Sequence, residues 1–469
     1  MKKILENILK EIKPSEEQER KIKKLSETFL EITNQEAKKY NAHAIIAGSL
    51  TRDTWLPTKN EFDIFIIFPE NLPENKLEKI GLSIGKKVIE KLNGKWKLQY
   101  AQHPYVRGTV RGVDVDIVPC YKVESGEKIK SAVDRTPFHV KYLNENFPKK
   151  YSDDVRLLKQ FLQANNIYGA DAKTQGFSGY ICEILAMRYG GFENILKNVL
   201  NWKPGEIIDI ENYWKKEQYD LLRKKFKNDI LIVIDPVDKR RNAAAAISAK
   251  NFYKFKKIAR EFLQIEKRSL FFKKELKPLL IEELNTIIEE RGTEILFIKF
   301  KKPDVVDDIL YPQLEKMAKR LENIMKEYEF SVMKNRYWTD KENAGILLEF
   351  EVSKLPKINK KIGPCVFDVK NCANFIHKYR KLAINGPYIE GNNWCVEIRR
   401  LWRKAEEKLR NTLKDNRKSL EAKGIPNYIA KEISKKFEIL DLKEIKKFMN
   451  RNKSFGIFLR EYFEKEKLV

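Results

Sequence analysis

Ile45-Ile46-Ala47-Gly48-Ser49-Leu50-Thr51-Arg52-Asp53-Thr54-Trp55-Leu56-Pro57 runs straight into Thr58-Lys59-Asn60-Glu61-Phe62-Asp63-Ile64-Phe65-Ile66-Ile67-Phe68, and this stretch decides how the chain folds at its start. An apolar strand ends in a Gly-Ser turn, whose bare backbone lets a phosphate come close. The second strand carries carboxylates at i and i+2. Side chains alternate along a strand, so Glu61 and Asp63 share one face while Phe62 and Ile64 take the other. On an edge strand a lone pair of this kind is ordinarily two solvated charges. Here the acids sit inside an apolar run just after a phosphate-accepting turn, and they repel unless a cation lies between them. A hard, oxygen-seeking Mg²⁺ carrying a triphosphate meets that need.

A two-ion clamp, with ions about 3.5–4 Å apart, shares its ligands and so needs a further carboxylate. The chain offers one in His103-Pro104-Tyr105-Val106-Arg107-Gly108-Thr109-Val110-Arg111-Gly112-Val113-Asp114-Val115-Asp116-Ile117-Val118-Pro119-Cys120. Val106–Val110 and Val113–Val118 read as strands joined by a tight Arg111-Gly112 turn. Asp114 and Asp116 share a face by the same alternation, and periodicity alone does not choose between them.

The blocks GS-x-x-R-x-TWLP, E-x-D and VDVDIVPC, in that order, resemble the nucleotidyltransferase domain of the archaeal-type (class I) CCA-adding enzymes, tRNA nucleotidyltransferases of the polymerase-β superfamily. The likeness continues through Thr136-Pro137-Phe138-His139, Leu157-Leu158-Lys159, Tyr168-Gly169, Thr174-Gln175-Gly176-Phe177-Ser178-Gly179-Tyr180 and Asp235-Pro236-Val237-Asp238-Lys239-Arg240-Arg241-Asn242. It covers roughly the first 250 residues as ordered motifs, and the remainder through composition and length.

The resemblance implies metal ligation by Glu61, Asp63 and Asp116, the last being the acid directly before Ile-Val-Pro. It implies triphosphate contacts from Ser49, Arg52, His139, Lys159 and Tyr168, and a contact from Arg241 to the incoming base. Taken alone, Lys159 and Tyr168 are surface residues straddling a helix end and a loop, and His139 is a half-buried histidine. Arg241 alone reads as a helix-start arginine paired with Asp235 or Asp238. Leu50-Thr51 departs from the Tyr-Ala more frequent in relatives, and Asp53 stands where Asn is common; neither removes a ligand.

The activity so implied is template-independent addition and repair of the 3′-terminal CCA of tRNA, using CTP and ATP. It proceeds by two-metal nucleotidyl transfer with Mg²⁺ and releases pyrophosphate. No second acid trio is present, so one site must make all three additions. The implied partners are tRNA, ATP and CTP, with room for a homodimer. Two rival readings share the head: a poly(A)- or oligoadenylate-type polymerase, and a catalytically silent RNA-binding relative. The intact acid trio speaks against the silent relative.

Composition agrees. The 469 residues exceed one compact core, and about three domains are expected. A formal charge of +26 on a chain that is 42% hydrophobic describes a folded protein with a polyanionic partner, not a disordered basic tail. Cys120, Cys182, Cys365, Cys372 and Cys395 are scattered without a C-x-x-C pair, which fits a reducing cytoplasm rather than a zinc ribbon or a disulfide framework. Charge comes too early at Met1-Lys2-Lys3 for a secretory signal, and no apolar run suffices for a membrane span. Lys, Glu and Ile enrichment hints at a thermophile.

The expected fold class is α+β. A polymerase-β-like head fills residues 1–150, a helical central domain that binds nucleotide and primer fills 151–280, and a C-terminal body and tail for tRNA fill 281–469. In the head, Ser15 and Gln18 form a capping box before a helix. A strand at 44–47, a short helix near 50–55, a strand at 61–68, a helix over 75–92 and strands near 96–101, 104–110 and 113–119 follow. In the centre, the Asp235–Asp238 turn caps a helical run of alanines, 243–246. Beyond 280, strand 294–300, helix 306–327 and strands 330–338 and 344–352 make a ferredoxin-like or RRM-like order, with Pro303 and Pro312 near the helix start. Residues 402–469 read as helical and basic.

Overall fold

In this computed structural model residues 1–58, 60–100, 104–273, 275–465 and 468 are described; the last residue of the strand expected near 96–101 and His103 lie outside them. The chain divides into two compact units, Met1–Glu275 with Val306–Asp308 and Lys467–Val469, and Leu276–Val305 with Ile309–Glu466.

The first unit opens with α1 (Lys2–Ile12) and α2 (Glu16–Ala37), the second started by the expected Ser15–Gln18 capping box. Then come β1 (His43–Ala47), β2 (Glu61–Phe68), α3 (Glu74–Lys91), β3 (Lys95–Tyr100), β4 (Pro104–Val110) and β5 (Val113–Tyr121). The strands lie in the order β1-β2-β5-β4-β3, antiparallel except for the β2–β5 pair. Alternation gives each strand two different faces. Phe62, Ile64, Ile66 and Phe68 pack with Val115 and Ile117 beneath Phe29, Ile84 and Val88 of the two long helices. Each such side chain contributes about 1.5–3 kcal/mol by leaving water. The other face carries the acids, then Phe65, Ile67, Val118 and Cys120. The helix expected near 50–55 is a single 3₁₀ turn, Ser49–Arg52, ended by Asp53 at φ 54°. Asn and Asp tolerate that left-handed conformation best among residues with a Cβ, so either serves at this position.

The unit continues with α4 (Thr136–Asn146), α5 (Ser152–Ala164), α6 (Gly179–Tyr189), α7 (Phe192–Val199), β6 (Glu206–Ile208), α8 (Tyr219–Lys225), β7 (Leu231–Asp235), β8 (Asp238–Asn242) and α9 (Ala249–Ile265). Leu158, Phe161, Leu185, Phe192, Phe255 and Phe262 centre its core, which Ile8 and Ile12 of α1 join. One expectation fails here. Asp235–Asp238 does not cap a helix; it turns a hairpin between β7 and β8, and Ala243–Ala246 form a turn. Four alanines are too few to nucleate a helix. The Asn242 side-chain oxygen instead accepts from the N–H groups of Val233 and Ala244, at 2.8 and 2.9 Å, and α9 starts only after its Ser248 cap.

The second unit begins with α10 (Ile281–Arg291), β9 (Glu294–Lys301), α11 (Asp307–Glu327), β10 (Ser331–Thr339) and β11 (Asn343–Val352). Next are β12 (Ile358–Cys365), α12 (Val369–Tyr379), β13 (Ala383–Glu390) and β14 (Asn393–Arg399). It closes with α13 (Ala405–Leu413), α14 (Arg417–Ala422), α15 (Asn427–Ile433), β15 (Phe437–Leu440), α16 (Leu442–Arg451) and α17 (Lys453–Phe463). The main sheet runs β10-β11-β9-β15, all antiparallel, which is the ferredoxin-like order. Its fourth strand, β15, lies in the segment expected to be wholly helical: Phe437-Glu438-Ile439-Leu440 pairs with β9 rather than extending α15. Pro312 sits inside α11 rather than at its start, where it removes one i→i−4 bond. Strands β12, β14 and β13 form a separate small sheet.

Candidate active site

Parallel pairing of β2 with β5 sets Glu61 opposite Asp114 and Asp63 opposite Asp116. Like charges placed directly across a ladder repel. The opposing cation nearest at hand is Arg107 of β4, whose Nη2 lies 3.0 Å from Glu61 and 3.3 Å from Asp114, and whose Nη1 lies 3.4 Å from Asp116. Burial pushes the Asp116 carboxyl up to about 6; Arg107 pulls it down, while Glu61 and Asp114 push it further up. Its Oδ1 is buried with no hydrogen-bond partner among the described residues. Gly48 closes the site from above. At φ 81° it adopts a backbone that disfavours any side chain, and a Cβ there would stand 2.7 Å from Asp63 Oδ2.

Among the described residues no three Asp, Glu, His or Cys side chains close on one point as metal ligands do. The chemistry of the donor set nonetheless fits a divalent cation: hard carboxylate oxygens, mutual repulsion, and one buried oxygen left without a proton donor.

Beside the acids, Ser49, Trp55, Leu56, Glu61, Lys159 and Tyr168 line one narrow cleft. Lys159 reaches it from α5, and its buried Nζ donates to Thr54 O and Oγ1, both at 3.0 Å. Burial lowers the Lys159 pKa, against the upward pull of Glu183. The Tyr168 hydroxyl and Lys159 Nζ meet at Gly179, where an added Cβ would stand 3.2 and 3.6 Å from them. Arg52 behaves differently. It is buried against Glu183 of α6, with Nε and Nη2 at 3.1 and 3.0 Å from Oε2, and its Nη1 donates to Thr51. Glu183 also accepts from Thr54 Oγ1 at 2.5 Å and lies 3.7 Å from Lys159.

His139 and Arg241 converge elsewhere, on Asp235 at the end of β7. His139 Nε2 lies 2.9 Å from Oδ2 and Arg241 Nη1 donates to the same oxygen at 2.6 Å. Tyr180 of α6 and the Val237 N–H donate to Oδ1 at 3.0 and 3.1 Å. Burial opposes the charge on Asp235, yet the His139 hydrogen bond, the charges of His139 and Arg241 and the Val237 N–H hold its carboxyl down at about 2. Arg241 therefore sits on a strand in an ion pair, not at a helix start.

Of the residues singled out in the sequence, the fold thus gathers Glu61, Asp63 and Asp116 on one sheet face, and Ser49, Lys159 and Tyr168 on the adjoining cleft. His139 and Arg241 share a third cluster, and Arg52 points into protein. Sequence reasoning missed Arg107, Glu183 and Asp235 as site residues. Arg107 was findable, since it shares the facing side of β4 with the acids by alternation. Glu183 stands out only as the lone carboxylate of apolar α6, and nothing in the local spacing points to its distant partners Arg52, Thr54 and Lys159.

Three family models match: a nucleotidyltransferase domain over residues 26–139, a tRNA nucleotidyltransferase second domain over 153–273, and a CCA-adding enzyme C-terminal domain over 291–442. The CCA-adding enzyme of Methanosarcina acetivorans is 36% identical, with 97% of both chains covered. That of Archaeoglobus fulgidus is 38% identical over 88% of this chain and 89% of its own. That of Methanocaldococcus jannaschii reaches 40% over 82% and 85%. The solved RNA terminal uridylyl transferase Cid1 aligns with 58% of this chain at 14% identity and a TM-score of 0.45, too distant to add to the assignment. With relatives matched over 82% to 97% of the chain and family models falling in both units, the chain belongs to the CCA-adding enzymes of the tRNA nucleotidyltransferase family.

Proposed function

We propose that the protein builds and repairs the CCA end of tRNA in the cytoplasm from CTP and ATP, by metal-assisted transfer of a nucleotidyl group with release of pyrophosphate. The observation that carries this reading is the in-register pairing of Glu61–Asp114 and Asp63–Asp116, with the orphaned Asp116 Oδ1, beside the cleft of Ser49, Lys159 and Tyr168. Glu61, Asp63 and Asp116 would hold Mg²⁺, which when bound lowers the pKa of the primer 3′-hydroxyl and neutralises developing negative charge. Lys159, buried and held by Thr54, presents its ammonium to the triphosphate from a fixed position, and Ser49 and Tyr168 line the same approach. Arg52 acts on the triphosphate only by exchanging Glu183 for it. Gly48 lets Asp63 come up under the turn. Arg241 reads the incoming base, with His139 beside it.

The test is incubation of the protein with tRNA lacking its CCA, Mg²⁺ and all four NTPs, followed by sequencing of the 3′ ends. Addition of C, C and A, then arrest, is the expected result. A run of adenylates would favour the poly(A)-type rival, and no addition at all the silent one.

A further inference from the structure

Asp235 is fully buried, yet it takes hydrogen bonds from three separate elements: His139 on α4, Tyr180 on α6, and Arg241 on the β7–β8 hairpin. A buried carboxylate is costly unless each oxygen is satisfied, and here both are. Oδ1 accepts from Tyr180 and the Val237 N–H, and Oδ2 from Arg241, with His139 Nε2 between them at 3.2 and 2.9 Å. The His139 ring in turn lies against Tyr180, with centroids 4.2 Å apart and planes at 33°. Arg241 is the outward member, 36% exposed. One nitrogen of its fork is fixed on a buried charge while the rest of the guanidinium reaches outward.

That arrangement bears on how one arginine selects bases. A guanidinium only donates, and cytosine, adenine, uracil and guanine all present acceptors. Its presence alone therefore discriminates poorly; the direction of its donor edge decides which acceptor pattern it meets. A free arginine side chain samples many rotamers, which blurs that direction. We propose that Asp235 is a positioning residue for nucleotide choice, orienting Arg241 for the base while it anchors His139. The inference rests on the reading of Arg241 as the base-contacting residue. The charge of Asp235 is secure for this purpose, since its surroundings keep it ionised far below neutral pH.

The test is Asp235→Asn, nearly the same shape without the charge, assayed with each of the four NTPs on tRNA ending in the discriminator base, in C and in CC. The preference for CTP and ATP over UTP and GTP, as ratios of kcat/KM, should fall by about tenfold or more, since a hydrogen-bonding pocket discriminates through groups that the wrong base leaves unpaired. Equal loss with all four nucleotides, or unchanged ratios, would overturn the proposal and leave Asp235 a fold-holding residue. If Asp235→Asn does not fold, Asp235→Glu carries the test: it keeps the charge but displaces Arg241, so its ratios should fall too, and wild-type ratios overturn the proposal. Arg241→Ala, run in parallel, separates the two readings. Wild-type ratios in Arg241→Ala would remove Arg241 as base reader, and this proposal with it. Relaxed ratios in Arg241→Ala beside intact ratios in Asp235→Asn would remove this proposal alone.

Discussion

Arg52 of the Gly-Ser turn and Glu183 of α6 form a buried ion pair 3.0 Å long that ties the head sheet's loop to the helical core. Glu183 also faces Thr54 and Lys159, so one carboxylate balances two cations. Glu183→Gln leaves Arg52 and Lys159 without their counter-ion. Breaking a buried pair from one side costs about 3–5 kcal/mol. Urea denaturation should show a loss of that order. A variant as stable as wild type would mean that the charges of Arg52 and Lys159 do not depend on the Glu183 carboxylate.

Relief of repulsion should govern the acids. Asp63→Ala or Asp116→Ala is expected to abolish nucleotide addition while leaving thermal stability unchanged or raised. Asp114→Ala should be milder, because Asp114 is bonded to Thr109 Oγ1 at 2.7 Å at the exposed end of the cluster. Equal damage from all three would show that Asp114, not only Asp116, belongs to the reacting centre.

Gly48→Ala combines two faults, a strained φ of 81° and a Cβ 2.7 Å from Asp63 Oδ2. The backbone term alone is of order 1–3 kcal/mol. Activity should drop by more than the fraction unfolded, since Asp63 is displaced in the folded protein too. Single-turnover rates normalised to folded protein would measure it, and rates near wild type would show that the turn relaxes around the methyl.

Acid should weaken the Asp235 cluster in a defined window. The Asp235 carboxyl is held at about 2 against an ordinary 3.8, so its pairing stabilises the fold fully above pH 3.8 and less as pH falls toward 2. A shift of this size corresponds to about 2 kcal/mol. The stability difference between wild type and Asp235→Asn should therefore narrow by that amount between pH 5 and pH 2. A gap that stays constant would place the Asp235 carboxyl near its ordinary value.

Binding to tRNA should fall steeply with salt. Each phosphate neutralised contributes about −0.7 to −0.9 to the slope of log affinity on log salt, and +26 is a large reserve of cations. Affinity independent of salt between 50 and 200 mM, the range over which such contacts are usually compared, is the result that would count against a phosphate-led interface.

The head was readable because two periodicities coincided: apolar alternation located β2 and β5, and the acids interrupting it marked the face. What escaped was non-local or short. Arg52 and Glu183 are 131 positions apart, and no spacing rule connects them. Strands β7 and β8 span five residues each, and Lys239-Arg240-Arg241 gives no apolar alternation to betray a strand. Strand β15 lies between helices and draws its pairing from β9, far back in the chain. Strands β12 to β14 expose Ile362, Ile384 and Ile389, so their two faces are not separated by polarity and nothing in their order announces a sheet.

The parallel β2–β5 ladder also has a bearing on how the protein comes to be folded. Hairpin β4–β5 closes locally, and β1 meets β2 across a short connection. The β2–β5 pairing joins segments separated by α3 and two whole strands, and loop closure of that length is slow. It is also the step that forces four carboxylates against one another. Arg107 arrives with the β4–β5 hairpin, already bonded across to Asp116, and so brings a positive charge to the place where the ladder must zip. On this topology, assembly of the acid cluster is expected to be the late, salt-sensitive event of the head's folding, and stopped-flow refolding should speed up with divalent ions; a rate indifferent to them would count against it.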